Sequence, residues 1–353
     1  MLSANINVIK ILILLSFSSI FAVLWTPFLT NFLYKYKLWR KKEKVVSIDG
    51  KYLSAIAKIN KSKTRKVPRL GGVLIWGTML FTVFLFAVLP KIFNSPWLEN
   101  LNFLSRGQTW LPLAMLIFSS FLGLADDLFV IFGKGKNGKE GISFTRRLLI
   151  LFLIGLIGAL WFYFKLGWHS IHIPFVGDME IGLLYIPLFI ITIIACWSGG
   201  VIDGIDGLSG GALGIMFAAF SIISFSLAKY DLSAFCAVIT GSILSFLWFN
   251  IPPARFYMGE TGIIGLTSTL GVVAFLTDSV LILPIIGGLL VLEAGSNIIQ
   301  LTSKKFLKHK IFIATPIHHH LEAKGWSPEK ITMRFWVVGM VLATIGIVVR
   351  LLG

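Results

Sequence analysis

Long apolar runs separated by short polar segments dominate this chain. About 20 apolar residues cross a bilayer core as helix, because every backbone polar group there must be bonded internally. Ten runs reach that length, at 7–33, 70–90, 110–132, 147–166, 183–201, 209–228, 233–250, 261–277, 280–301 and 331–351. Polar, Gly-rich sequence from Ser198 to Gly211 separates the fifth from the sixth. The first run is too long for the apolar part of a signal peptide, lacks a small-residue cleavage site and leads into a Lys-rich loop, so it reads as a spanning helix. Only Trp168–Ile181 alternates like a strand, and with Gly177-Asp178 at its middle it predicts an external hairpin in which His169 and His172 are surface residues. The pattern predicts an all-α polytopic membrane protein of about ten transmembrane helices with a small periplasmic β-hairpin, residues 1–353 forming a single integral membrane domain.

Composition narrows the class further. The chain is 56% hydrophobic and 14% charged, against about 45–50% and 25% in soluble domains. That charge is too sparse to coat a soluble surface, so soluble enzymes, disordered chains and disulfide scaffolds drop out. Cys196 and Cys236 lie inside apolar runs and fit no spaced metal pattern. On the predicted topology, 26 of the 32 Lys and Arg residues fall in 34–69, 133–147, 251–259, 302–330 and at Arg334. The positive-inside rule puts those loops in the cytoplasm and both termini outside. It also accounts for the net charge of +16 without any nucleic-acid partner.

The sixteen acids are placed unevenly. Asp126-Asp127 end the third run, Asp203 and Asp206 lie in VIDGIDGLSGG, and Glu260 opens the eighth run, all toward the cytoplasmic side. Glu293 lies deeper, inside the ninth run. Ionisable groups at membrane depth cost about 2.5–3.5 kcal/mol on insertion scales and mark functional cavities. Carboxylates gathered at one membrane face beside basic loops suit two tasks, holding a divalent cation through oxygen ligands and accepting a proton from an attacking group. With lysines nearby they suit phosphoryl chemistry, where catalysis is mostly positioning and charge neutralisation. His318, His319 and His320 are consecutive and have no cysteine partners, so they read as donors to phosphate or sugar oxygens rather than as zinc ligands.

At these residues the chain resembles the polyprenyl-phosphate N-acetylhexosamine-1-phosphate transferases. The matches run from Pro68-Arg69-Leu70-Gly71-Gly72 through Asp126-Asp127 and Asp203-Gly204-Ile205-Asp206-Gly207-Leu208 to Asn250 and Phe256-Tyr257-Met258-Gly259. They end in PIHHHLEAKGW, residues 316–326, followed by Arg334-Phe335-Trp336. The histidine segment with its trailing Lys-Gly-Trp points to the phospho-N-acetylmuramoyl-pentapeptide transferase branch.

The resemblance implies ten spans, both termini periplasmic, and an active site on the cytoplasmic face of the bacterial inner membrane. The loops 34–69, 133–147, 198–211, 251–260 and 302–330 would build that site. It implies transfer of phospho-MurNAc-pentapeptide from UDP-MurNAc-pentapeptide to undecaprenyl phosphate in peptidoglycan synthesis, giving lipid I and UMP with Mg²⁺ as cofactor. It also implies a homodimer in membrane lipid. In this reading Asp126 or Asp127 takes the proton from undecaprenyl phosphate, Asp203 and Asp206 order the site and contact substrate, and Glu260 holds Mg²⁺. Asn250 and Tyr257 serve the uridine side, while His318, His319, His320 and Lys66 contact substrate. The ninth span of the family is bent and helps form a lipid groove, a bend that Gly287-Gly288 and Gly295 permit.

Three positions depart from the family pattern. Glu260 stands where the family has Asp, Gly200 where NxxDGxDG has Asn, and Val130 where DDxxK has Lys. Glu moves the charge by one methylene. Gly200 offers no oxygen, so that water or another residue would have to fill its coordination place. Val130 offers no charge, although Lys134 and Lys136 follow. Two other readings therefore stand beside the first: a different UDP-sugar, such as UDP-GlcNAc, and a catalytically weakened homologue acting as a binding partner.

Overall fold

The computed structural model describes residues 2–40, 66–133 and 141–353. The helices are α1 (Leu2–Lys35), α2 (Gly72–Phe93), α3 (Pro96–Leu101), α4 (Trp110–Ile131), α5 (Phe144–Leu160), α6 (Tyr185–Ser198), α7 (Leu208–Ser226), α8 (Tyr230–Asn250) and α9 (Gly259–Leu276). They continue as α10 (Leu283–Ile286), α11 (Gly288–Phe306), α12 (Ile317–Ala323) and α13 (Pro328–Leu352). Among the described residues, nine helices are long and apolar enough to cross a membrane. The protein is therefore a multi-pass, all-α membrane protein. Nearly all of α9 is buried inside the bundle, while α1 and α13 turn most of their apolar surface outward. That distribution is expected where lipid replaces water around the outer helices.

Contacts at the two ends of the bundle fix its direction. At one end Lys10 pairs with Asp231 at 2.7 Å, His172 N donates to Asp278 at 3.1 Å, and Phe175 N donates to the Gly353 carbonyl. The beginning of α1, the hairpin and the end of α13 thus share one end. At the other end Tyr34 Oη donates to the Arg255 carbonyl and Thr332 Oγ1 to the Asp206 carbonyl. The expectation that both ends of the chain lie on the hairpin side agrees with this arrangement.

Two local expectations need correction. The predicted ninth run, 280–301, is not one helix. It breaks at Gly287 between α10 and α11, and α11 continues to Phe306. Together the pair still lead from Ser279 at the hairpin end to the opposite end, giving one further pass beside the nine apolar helices among the described residues. α11 is not one of those nine, because it carries Glu293, Ser296, Gln300 and Ser303 on its buried face. Gly295, the other glycine offered for a bend, lies within the continuous helix. The hairpin forms, but β1 (Ser170–Ile173) pairs with β2 (Gly177–Glu180) around Pro174-Phe175-Val176, so Gly177-Asp178 open the second strand rather than the turn. His172 is half-buried, with Nδ1 at 2.8 Å from Asp178 and Nε2 at 3.1 Å from the Gly353 carbonyl. Cys196 and Cys236 are buried free thiols.

Candidate active site

The site begins at a seam of small residues between α4 and α9. A methyl group on Gly123 would overlap the Glu260 carbonyl, and one on Gly265 would overlap Ser120 Oγ. Small residues let two helix backbones approach closely, and this approach sets Asp127 against the start of α9. Asp127 is fully buried. Its Oδ2 accepts from Thr261 N at 3.0 Å, its Oδ1 accepts from Arg69 Nε at 2.9 Å, and the Glu260 N–H also faces it. The carboxylate therefore satisfies backbone donors that the first turn of a helix leaves unpaired. Gly259, at φ +72°, lies directly over Asp127 Oδ2, where a side chain would not fit.

Asp126, one residue earlier, faces a different set of groups. Its Oδ1 accepts from Ile142 N at 2.6 Å, and its Oδ2 lies 3.4 Å from Arg147 Nη1. The same Arg147 nitrogen is 3.2 Å from Glu260 Oε1, so one guanidinium bridges acids from two helices. Val130 is buried one turn beyond Asp126, and both pack on Gly141. Arg147 supplies a positive charge beside Asp126 and Glu260. Lys134 and Lys136 lie outside the described residues.

The Pro68–Gly72 segment runs beside residues 257–258 through paired backbone bonds. Tyr257 N donates to the Pro68 carbonyl, Gly71 N to the Tyr257 carbonyl and Gly72 N to the Met258 carbonyl, each at 2.8 Å. This pairing carries Arg69 to Asp127. Asn250, expected to face substrate, is instead buried and clamps two turns, with Oδ1 accepting from Gly207 N at 2.9 Å and Nδ2 donating to the Phe256 carbonyl at 2.8 Å. Asp206 Oδ2 accepts from Ala254 N at 3.1 Å, and Asp203 Oδ1 accepts from Ser209 Oγ at 2.7 Å. Gly207, at φ +78°, lets the chain turn from this acidic segment into α7.

The three histidines diverge, as adjacent positions on a short helix must. His318 is fully buried and its Nδ1 lies 2.8 Å from Glu293 Oε2. Its Nε2 lies against Gly204, where a Cβ would overlap the ring. His319 Nδ1 pairs with Glu322 Oε2 at 2.6 Å. His320 Nδ1 accepts from Ile313 N at 3.2 Å, and its ring meets Phe312 edge-on. Lys66 is exposed just before this site's Pro68–Gly72 segment.

Electrostatics reflect the crowding of acids. Burial raises the Asp203 carboxyl to about 6, against relief from Ser209 and Arg69. Burial, with Asp206 and Asp203 nearby, raises the Tyr257 hydroxyl to about 12. Burial lowers His320, with Lys324 adding to the effect. Arg69 is held charged because Asp127, Glu260 and Asp203 outweigh its burial. Among the described residues, no three His, Cys, Asp or Glu side chains form a closed metal cage. Mg²⁺ is usually held more openly, by one or two carboxylates completed by substrate phosphates. Glu260, partly exposed and repelling Asp126, Asp127 and Asp203, supplies a hard oxygen donor in surplus negative charge and fits that kind of site. A Cβ at Gly200 would overlap the Ile263 Cγ2 methyl, so that a side chain there meets an apolar neighbour.

The structure thus links Asp126, Asp127, Asp203, Asp206, Glu260, Tyr257 and His318 at one end of the bundle, with Asn250 as an internal clamp. Arg69, Arg147 and Glu293 received no site role from the sequence. Arg69 lay within a quoted motif and Glu293 stood out as an acid at membrane depth, whereas nothing distinguished Arg147 among so many basic residues. Beside the acids an apolar cavity of about 390 Å³ opens between α1, α2 and α4, lined by Leu33, Tyr36, Leu70, Leu124 and Leu128 among others.

Residues 109–278 match the glycosyl transferase family 4 model. The phospho-N-acetylmuramoyl-pentapeptide-transferase of Chloroflexus aurantiacus (strain ATCC 29366 / DSM 635 / J-10-fl) is 33% identical over 300 residues, covering 81% of this chain and 77% of that protein. The protein of that name from Ruegeria sp. (strain TM1040) is 33% identical over 307 residues, covering 79% of each chain. Its counterpart from Pelagibacter ubique (strain HTCC1062) is 32% identical over 354 residues, covering 94% of this chain and 90% of that protein. With relatives of that name 32–33% identical over most of its length, the chain belongs to the phospho-N-acetylmuramoyl-pentapeptide-transferase family.

Proposed function

We propose that the protein transfers phospho-MurNAc-pentapeptide from UDP-MurNAc-pentapeptide to undecaprenyl phosphate, giving lipid I and UMP, at the cytoplasmic face of the bacterial inner membrane. The observation that carries this reading is the convergence of Asp126, Asp127, Asp203, Asp206 and Glu260 at one end of the bundle, beside the histidine segment. Family membership supports the substrates, and the excess of Lys and Arg at the same end supports a cytoplasmic site. The apolar cavity beside Asp126 and Asp127 suits the prenyl chain of the acceptor.

In the mechanism, Asp126 accepts the proton from the acceptor phosphate. Asp127 is less suited, because it is fully buried and its ion pair to Arg69, at 2.9 Å, is shorter than the 3.4 Å contact of Asp126 to Arg147. The acceptor oxygen forms its bond to the β-phosphorus of the nucleotide as the bond from that phosphorus to the bridging oxygen breaks, and UMP leaves with the electron pair. Arg69 and Arg147 keep cationic charge beside the reacting phosphates. Glu260 would hold Mg²⁺, which when bound neutralises the pyrophosphate. Asp203 and Asp206 order the loop that faces His318, and Tyr257 stands beside them for the uridine. Competition between UDP-MurNAc-pentapeptide and UDP-GlcNAc on the purified protein tests the sugar. Preference for the muramoyl nucleotide is expected, and preference for UDP-GlcNAc would overturn the substrate.

A further inference from the structure

The mechanism above uses neither Trp326 nor Arg334, although both belong to the last sequence motif. They meet at the start of α13, a helix whose two faces differ. Ile331, Phe335, Gly339, Ala343 and Gly346 are buried against the bundle. On the opposite face Lys330, Arg334, Val337, Val341, Ile345 and Val348 are all exposed. Their spacing of three and four residues keeps them in one line along the helix. Two cations therefore head a line that is otherwise apolar, and residues 335–349 carry no charged side chain.

Trp326 stands beside the two cations. Its ring is partly exposed and packs on the core. Arg334 Cζ lies 4.4 Å and Lys330 Nζ 5.0 Å from the ring centroid, both within reach of attraction to an aromatic face. Among the described residues neither side chain pairs with an acid. Like charges four residues apart on a helix repel, so an anion within reach of both would stabilise the pair. α13 is 25 residues long, which at about 1.5 Å per residue exceeds a hydrocarbon core of about 30 Å. Its last residues lie at the hairpin, where Phe175 N meets the Gly353 carbonyl. Its first two turns therefore fall at the opposite headgroup boundary, where Trp and long basic side chains are favoured.

We propose that Trp326, Lys330 and Arg334 form a binding site for the phosphodiester headgroup of an anionic phospholipid, with an acyl chain lying along Val337, Val341 and Ile345. The lipid belongs to the leaflet at the histidine end. A soluble anion would leave the apolar line below the cations unused. The acceptor of the proposed reaction also carries a phosphate, but that phosphate must reach Asp126, and this face is turned away from the acids. Thr332 and Trp336, which donate to the Asp206 and Gly207 carbonyls, lie on the other side of α13. The lipid site is therefore separate from the transferase reading and does not depend on it.

The test uses the full-length protein carrying 5-fluorotryptophan in nanodiscs of phosphatidylcholine, with Trp326→Phe to assign the ¹⁹F signal. Stepwise replacement by phosphatidylglycerol should shift the Trp326 signal to a plateau. Phosphatidylglycerol spin-labelled near the top of one chain should broaden that signal more than phosphatidylcholine labelled at the same carbon. From the contribution of one basic residue near an anionic lipid surface, Arg334→Gln should weaken the phosphatidylglycerol response about fivefold, and Lys330→Gln with Arg334→Gln about 25-fold. Arg334→Lys keeps the charge and should retain most of the response. Should the double variant not fold, the comparison of the two lipids in the unaltered protein decides alone. Equal broadening by both lipids, or a folded double variant with an unchanged response, would overturn the proposal. Displacement of phosphatidylglycerol by an equal fraction of undecaprenyl phosphate would overturn the choice of lipid.

Discussion

Asp127 has no exposed surface and both of its carboxylate oxygens are engaged, whereas Asp126 meets one backbone N–H and a longer contact to Arg147. The pair looked interchangeable in the sequence, because adjacent acids at a helix end carry no mark of which faces a neighbouring helix. Asp126→Asn is expected to lower turnover by about 10² or more with the fold retained. Asp127→Asn should in addition lower thermal stability in detergent, since removing one partner of a buried ion pair costs about 3–5 kcal/mol. Equal melting temperatures for the two variants would contradict the division of roles. Asp203 offers a pH test. Its folded carboxyl is raised to about 6, so the folded state holds this proton more tightly than the unfolded chain does. Its contribution to stability is therefore full below the ordinary carboxylate range and is lost as pH rises through about 6. Asp203→Asn should then narrow the difference in melting temperature between pH 5 and pH 8, and an unchanged difference would remove this account of the group. The acids were legible because they are rare in an apolar chain, and Asn250 was legible as important but not as a clamp. Its role depends on Gly207 and Phe256, which only the fold brings to either side of one amide.

At the scale of elements, apolar length located all ten runs but took the ninth, 280–301, as one helix, whereas it breaks at Gly287 and α11 buries polar side chains against protein. Periodicity alone also misplaced the hairpin turn, since Gly177 marks a strand start as readily as a turn centre. The turn before Asp203 makes a sharper point. Asn at position 200 would match the family pattern, yet Ile263 on α9 fills the space that its side chain would need. Overpacking of this kind costs about 1–3 kcal/mol. Gly200→Asn alone is expected to lower the melting temperature and turnover together, while Gly200→Asn with Ile263→Ala should recover stability by opening the space. Non-additivity is expected because the two positions touch. A single variant as stable as the parent would show that Ile263 moves aside at no cost.

For the whole molecule, the hairpin and the histidine segment lie at opposite ends of the bundle, and this separation follows from contacts at both ends rather than from hydropathy. With Cys196 and Cys236 replaced, single cysteines placed within 168–180 and within 308–325 should label from opposite sides of sealed cells, the second only after permeabilisation. Labelling of both from outside would detach the histidines from a cytoplasmic site. The general architecture and the chemistry-bearing end were readable from apolar length and charge bias, whereas the cations that neutralise the acids were not, because basic residues crowd that whole face. The most direct measurement of the central claim combines the purified protein with Mg²⁺, UDP-MurNAc-pentapeptide and undecaprenyl phosphate, and follows UMP and lipid-linked product together. The account predicts one UMP for each lipid-linked phospho-MurNAc-pentapeptide, both abolished by Asp126→Asn in a folded protein. UMP release without lipid product, or equal transfer by the Asp126→Asn variant, would contradict it.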